Sequence, residues 1–198
     1  MKYDWKIVNQ QVVFQGYFRM ERFALQHELY AGGSTATFYR ELFERGCAVA
    51  VLPYDPKRDE VVLIEQFRVG AIGTQNPPWL KEIIAGVIEP GETHQQVAER
   101  ETLEEAGCEI IRLEKIGQYY VSPGGTSEQC MLYCGQVDTR GVGGIHGLDH
   151  EFEDILVEVV SLDQARKWLE DGTINSSPAI IALQWLLLNR EKIRSRWK

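Results

Sequence analysis

Glu101, Glu104 and Glu105 stand at i, i+3 and i+4 within a stretch, Glu92 to Ala106, that contains neither proline nor glycine and is rich in helix formers. The Pro90-Gly91 turn precedes this stretch and Gly107 stops it, so the pattern predicts one helix over residues 92–106. On that helix the three carboxylates fall within about one third of the circumference and repel one another. They also occupy its C-terminal half, where the helix dipole disfavours negative charge. Oxygen ligands converging from one helix face suit a hard divalent cation, Mg²⁺ or Mn²⁺, which would cancel the repulsion and could hold phosphates. Local pattern alone leaves open a solvated acidic face in which Arg100 pairs with Glu104. Ala98, Thr102, Leu103 and Ala106 form the adjacent stripe expected to pack on a sheet.

The longer pattern is more specific. Gly86 is followed after five residues by Glu92, and after seven more by Arg100-Glu101-Thr102-Leu103-Glu104-Glu105-Ala106-Gly107-Cys108. This resembles the Nudix box, in which a glycine, a glutamate and an arginine-glutamate-aliphatic-x-glutamate-glutamate-x-glycine-aliphatic run keep that spacing. Every charged and glycine position matches; Thr102 and Cys108 depart at the two aliphatic positions and are small enough to pack. Pro123, sixteen residues after Gly107, lies in Ser122-Pro123-Gly124-Gly125-Thr126-Ser127-Glu128. That loop is similar to the proline-bearing loop of the bacterial ADP-ribose pyrophosphatase branch. Arg40 to Gly46, Val61 to Arg68 and Gly144 to Leu148 resemble the same branch.

The resemblance implies Mg²⁺-dependent hydrolysis of ADP-ribose to AMP and ribose 5-phosphate, by attack of an activated water on one phosphorus. It implies Glu101, Glu105, Glu153 and the backbone carbonyl of Ala85 as metal ligands. Glu151 is implied as the general base, with Glu104, Arg100 and Glu92 in support and Glu92 orienting Arg100. Arg68 would meet a phosphate, Tyr17 with Phe18 would stack the adenine, and Arg40, Glu41, Ser122 and Glu128 would complete substrate binding. A homodimer is implied, in which both subunits line the pocket. Alternatives are a hydrolase of another nucleoside diphosphate sugar such as GDP-mannose, and a non-catalytic ADP-ribose sensor.

These residues need a scaffold, and 198 residues suffice for one well-buried core with a small arm. From Trp5 to Gln66 short β-rich runs are expected at Lys6 to Val13, Phe18 to Leu29, Thr35 to Phe43, Ala48 to Pro53 and Glu60 to Gln66. The continuous apolar run Val61 to Ile64 reads as a central strand covered on both faces. A loop over Ala71 to Trp79 leads to a short strand at Glu82 to Ala85. Strands follow at Ile110 to Val121, Gln129 to Val137 and Ile155 to Ser161, with a glycine-rich loop over Gly141 to Gly147. Two helices, Leu162 to Asp171 and Pro178 to Arg194, close the chain. The second carries an apolar face of Ile181, Leu183, Trp185, Leu186 and Leu188.

The expected class is therefore α+β. By resemblance this is the Nudix α/β/α sandwich, a mixed sheet between helices, with a β-rich dimerisation arm over residues 1–45 and the catalytic domain over 46–198.

A net charge of -8 argues against a protein that grips nucleic-acid phosphates. No apolar stretch approaches a membrane span and no secretion signal stands at the N-terminus, so the cytoplasm is expected. Cys47, Cys108, Cys130 and Cys134 follow no disulfide or zinc pattern and read as reduced, structural thiols. The histidines His27, His94, His146 and His150 are dispersed and read as surface or loop residues.

Overall fold

A computed structural model describes residues 3–73, 77–148, 150 and 152–197. Two compact units emerge. The first comprises the chain up to Cys47 together with Tyr120–Gln129. Its core is an antiparallel three-stranded sheet in the order β1-β2-β3, with β1 at Trp5–Gln15, β2 at Arg19–His27 and β3 at Phe38–Glu44. The segment 121–128 belongs here because it is tied to the end of β3. The Phe43 N–H donates to the Gly125 carbonyl at 2.8 Å, and the Ser127 N–H donates back to Phe43 at 3.3 Å. Every one of the 11 residues of β1 is exposed, Trp5, Val12 and Phe14 among them.

The second unit holds an eight-stranded sheet. Its strands are β4 (Cys47–Asp55), β5 (Glu60–Phe67), β6 (Trp79–Glu82), β7 (Ile84–Val87), β8 (Arg112–Tyr120), β9 (Gln129–Gln136), β10 (Gly144–His146) and β11 (Ile155–Ser161). The main path runs β10-β11-β5-β4-β9-β8, with β6 beside β5 and β7 beside β4. Strand alternation sends Val61 and Leu63 to one face, where they pack with α2 (Leu162–Glu170) and α3 (Ser177–Arg196). Val62 and Ile64 point to the other face, beside Ala106 and Cys108 at the end of α1 (His94–Ala106). The central, doubly covered β5 and the α+β layering agree with the sequence reading.

Several local expectations need correction. The single strand expected at 82–85 is two, broken at Ile83, because β6 pairs with β5 while β7 pairs with β4. The glycine-rich loop contains β10, which hydrogen-bonds to β11 with His146 opposite Ile155. Leu188 is 86% exposed and Leu103 55%; the buried positions are Ala179, Ala182, Leu183, Leu186 and Ile193 on α3, and Val97, Ala98, Thr102, Glu105 and Ala106 on α1. Of the cysteines, Cys47 is exposed and the other three are buried. No helix among the described residues is long and apolar enough to cross a membrane.

One contact fastens the turn between β4 and β5 to the C-terminal helix. Asp59, at φ 61°, accepts from the Tyr54 hydroxyl at 2.6 Å and from Arg190, and its backbone carbonyl accepts from the N–H of Leu162 at the start of α2. Burial raises its carboxyl, but the bonds from Arg190 and Tyr54 and the charge of Arg194 outweigh this, so the net shift is downward. Asp59→Ala is expected to lower unfolding stability by about 3 kcal/mol, through lost charge-assisted bonds and a Cβ without compensation in the left-handed region. Urea denaturation would measure it; a loss below about 1 kcal/mol, the level of an ordinary surface pair, would show that the fastening does little.

Candidate active site on the carboxylate helix

The helix α1 starts two residues later than the sequence suggests because Thr93 caps it. Its side chain accepts from the Gln96 N–H, and the Gln96 side chain accepts from the Thr93 N–H, a reciprocal capping box. Glu92 therefore lies outside the helix, where Arg100 grips it with Nε and Nη2 at 2.9 and 3.0 Å. The same guanidinium donates through Nη1 to Glu101 at 2.7 Å and to Glu104 at 3.2 Å. One cation thus restrains three of the glutamates. Thr102, at a position where an aliphatic residue was expected, is buried, and its hydroxyl donates to the Ala98 carbonyl at 2.7 Å, which satisfies the polar atom.

Glu105 is 3% exposed and accepts one hydrogen bond, at 3.0 Å, from the N–H of Ala85 on β7. Its carboxyl is pushed up to about 8 by burial, with the charges of Glu101 and Glu153 adding to the rise and Ala85 and Arg68 opposing it. The Glu101 carboxyl is also raised, by burial first and by Glu104 and Glu153, against the pull of Arg100. Glu153, which accepts from the Leu148 N–H at 3.4 Å, therefore acts on the same spot as the two helix glutamates.

Two glycines let the backbone come this close. A methyl group on Gly86 would lie 1.6 Å from Glu101 Oε1 and 2.0 Å from its Cδ. Gly107 ends α1 in the left-handed region at φ 61°, and a methyl there would meet the His146 ring at 2.5 Å. His146 is thus not a loose loop residue; it sits on β10 against the end of the carboxylate helix.

Among the described residues no three His, Cys, Asp or Glu side chains are arranged to hold a metal ion as they stand. The carboxylates turn instead to the donors within reach, Arg100 and the Ala85 N–H. The chemistry of the donor set nevertheless fits a hard cation: Glu101, Glu105 and Glu153 are oxygen donors, and burial with neighbouring carboxylates disfavours the charged forms of Glu101 and Glu105, the conflict a divalent ion relieves. Ala85, whose N–H meets Glu105, brings its backbone to the same place.

This conflict has a measurable sign. A carboxyl raised from 4.5 to about 8 binds more protons folded than unfolded across that window, so stability falls as pH rises through it. Asp55, Asp59 and Glu92 shift downward, so both their states are ionised well above pH 4 and they contribute no slope there. Metal-free protein in EDTA is expected to melt at a lower temperature at pH 8 than at pH 5.5, and Mg²⁺ to raise melting more at pH 8. Differential scanning fluorimetry checks this; a profile rising with pH and indifferent to Mg²⁺ would contradict it.

Arg68, at the end of β5, donates through Nε to Glu82 at 2.7 Å, and its charge reaches Glu105. The other residues expected to touch substrate lie in the first unit. Tyr17 is 95% exposed with its edge against Phe18; Arg40 and Glu41 are exposed on β3, where Arg40 donates to its neighbour's carbonyl and stacks on Phe38. The Ser122 carbonyl closes the proline-bearing turn onto Gly125 and Thr126. Glu128 accepts from Arg45 at 3.2 Å. Glu151, expected as the base, lies outside the described residues. Sequence reasoning overlooked Arg45, which also covers Phe18 and Phe43, and Glu82, the partner of Arg68. Arg45 was in view within the Arg40 to Gly46 run; nothing in the sequence marked Glu82.

Comparison with known proteins gives these features a context. Residues 44–183 match the family model described as NUDIX domain. An ADP-ribose pyrophosphatase from Escherichia coli is 44% identical over 196 residues, covering 99% of this chain and 94% of its own. One from Haemophilus influenzae is 43% identical over 98% of this chain and 91% of its own. A GDP-mannose pyrophosphatase from Cronobacter sakazakii is 28% identical over 95% and 97%. The solved structure titled "Crystal structure of ADP compounds hydrolase" shares the fold, with a TM-score of 0.71 over 97% of this chain and 95% of that one, at 22% identity.

Proposed function

The chain belongs to the NUDIX domain family, and from that premise we propose that it hydrolyses the pyrophosphate bond of ADP-ribose to AMP and ribose 5-phosphate, using Mg²⁺. The observation that carries the reading is the near-full-length identity of 43–44% to ADP-ribose pyrophosphatases, joined to a complete set of box carboxylates around a buried Glu105. Glu101, Glu105, Glu153 and the Ala85 carbonyl would hold the cation. When bound, it would neutralise the diphosphate oxygens and ease ionisation of the attacking water.

The protein's own groups do the rest. Arg100, anchored by Glu92, holds Glu101 and Glu104 in place before substrate arrives. Arg68 would exchange its bond to Glu82 for a phosphate oxygen. A water oxygen attacks one phosphorus, the bridging phosphorus–oxygen bond breaks, and the water proton passes to Glu151, which we assign as the base. Glu151→Gln is expected to cut kcat by about a hundredfold or more with an unchanged melting curve. Near-normal turnover in that variant would transfer the role to another carboxylate.

Tyr17, Arg40, Glu41, Ser122 and Glu128 are proposed contacts to the substrate, and the exposed apolar side chains of β1 a surface covered in a homodimer. The 28% identity to a GDP-mannose pyrophosphatase supports a second reading, a hydrolase of another nucleoside diphosphate sugar. Nucleoside monophosphate release from ADP-ribose, GDP-mannose and ADP-glucose in separate parallel reactions distinguishes the two. AMP release should be fastest from ADP-ribose; faster release of GMP from GDP-mannose, or of AMP from ADP-glucose, would move the assignment to the second reading.

A further inference from the structure

Gln66 occupies a position where the sheet calls for an aliphatic residue. Alternation along β5 places Val62 and Ile64 in the core beneath α1, and Gln66 and then Arg68 continue that face toward the carboxylates. Arg68 keeps the extended conformation at φ -127° and ψ 113°, so the alternation persists to it. Glu82, which holds Arg68, lies on β6 opposite Ile64, two residues before Gln66. Gln66 is only 7% exposed, yet its amide nitrogen is buried without a hydrogen-bond partner. Leu or Val would fill this site without that cost, because a buried donor left unpaired forfeits its hydration.

The acceptors nearby are already engaged. Glu82 is bound by Arg68, Glu105 by the Ala85 N–H, and Glu101 by Arg100. A donor facing the site therefore awaits an acceptor that arrives from outside, and the Arg68 guanidinium on the same face marks that acceptor as anionic. We propose that Gln66 contacts substrate, its amide donating to a phosphate oxygen of the nucleoside diphosphate on the face it shares with Arg68. The inference rests on the pyrophosphatase reading above and adds to it a neutral, buried donor that the box does not contain.

The test uses the full-length protein with Gln66→Leu and Gln66→Glu, and α,β-methylene ADP-ribose as a non-hydrolysable probe. Calorimetry in the presence of Mg²⁺ should show that Gln66→Leu binds the probe roughly ten- to a hundredfold more weakly, the range for one hydrogen bond to a charged group. Ligand-free Gln66→Leu should melt no lower than wild type, since it loses an unpaired polar group. Gln66→Glu, which places a second negative charge against the phosphate, should bind more weakly than Gln66→Leu. Unchanged affinity in Gln66→Leu, or a ligand-free melting temperature several degrees below wild type, would overturn the proposal by showing that the amide has no ligand or a structural partner. Failure of the pyrophosphatase reading looks different: wild type would release no AMP from ADP-ribose. If wild type also failed to bind the probe, both would fall together.

Discussion

Gly86→Ala is expected to remove about 99% of turnover while leaving the fold standing, since displacing a reacting group by about 1 Å costs on the order of a hundredfold. The added methyl would overlap Glu101, 1.6 Å from Oε1 and 2.5 Å from Cγ. Backbone movement is the harder response, because Gly86 pairs with Val49 in the ladder between β7 and β4 and Val49 is buried. The Glu101 side chain yields instead. It is only partly buried, and Arg100 remains tied to Glu92 when it leaves. The unfolding midpoint should therefore move little while kcat falls and the Mg²⁺ concentration for half-maximal rate rises. Steady-state kinetics across Mg²⁺ concentrations, beside a urea titration, read both. An active Gly86→Ala enzyme with ordinary Mg²⁺ dependence would mean that the placement of Glu101 does not govern the chemistry.

Glu105→Gln should have the larger effect on rate and an opposite effect on stability. The amide keeps the shape of the carboxyl, and its oxygen can still accept from the Ala85 N–H. It removes a buried negative charge that its surroundings disfavour, so ligand-free protein at pH 8 should melt at or above the wild-type temperature. It also removes a proposed ligand, so kcat/KM should drop by about a thousandfold and Mg²⁺ should no longer raise the melting temperature. The combination is diagnostic, because a residue kept only for the fold would lose stability on substitution. A destabilised Glu105→Gln protein with normal activity per folded molecule would reverse the interpretation of this helix.

Much of the site was legible because its signals are local. The spacing of Gly86, Glu92, Arg100, Glu101, Glu104 and Glu105 survives in one segment, and a helix converts that spacing into geometry without further information. The two-residue error at its start was avoidable, since Thr93 and Gln96 spell a capping box in the sequence itself. Other features were hidden because they arise from pairing between distant segments. The strand β10 reads as a loop by its glycines, and becomes a strand only through its partner β11. Leu103 and Leu188 look like core by residue type, but each is turned away from the buried face of its helix and exposed. The membership of Tyr120–Gln129 in the first unit depends on bonds to Phe43, far away in the chain. Gln66 looks like an ordinary polar residue at a strand end; only burial and the missing partner single it out.

The most direct test of the central claim is AMP release from ADP-ribose by purified wild-type protein, followed by chromatography, with excess Mg²⁺ and again with excess EDTA. Equal amounts of AMP and ribose 5-phosphate, formed with Mg²⁺ and abolished by EDTA, are the predicted result. Intact ADP-ribose under both conditions, or hydrolysis that ignores the chelator, would contradict it.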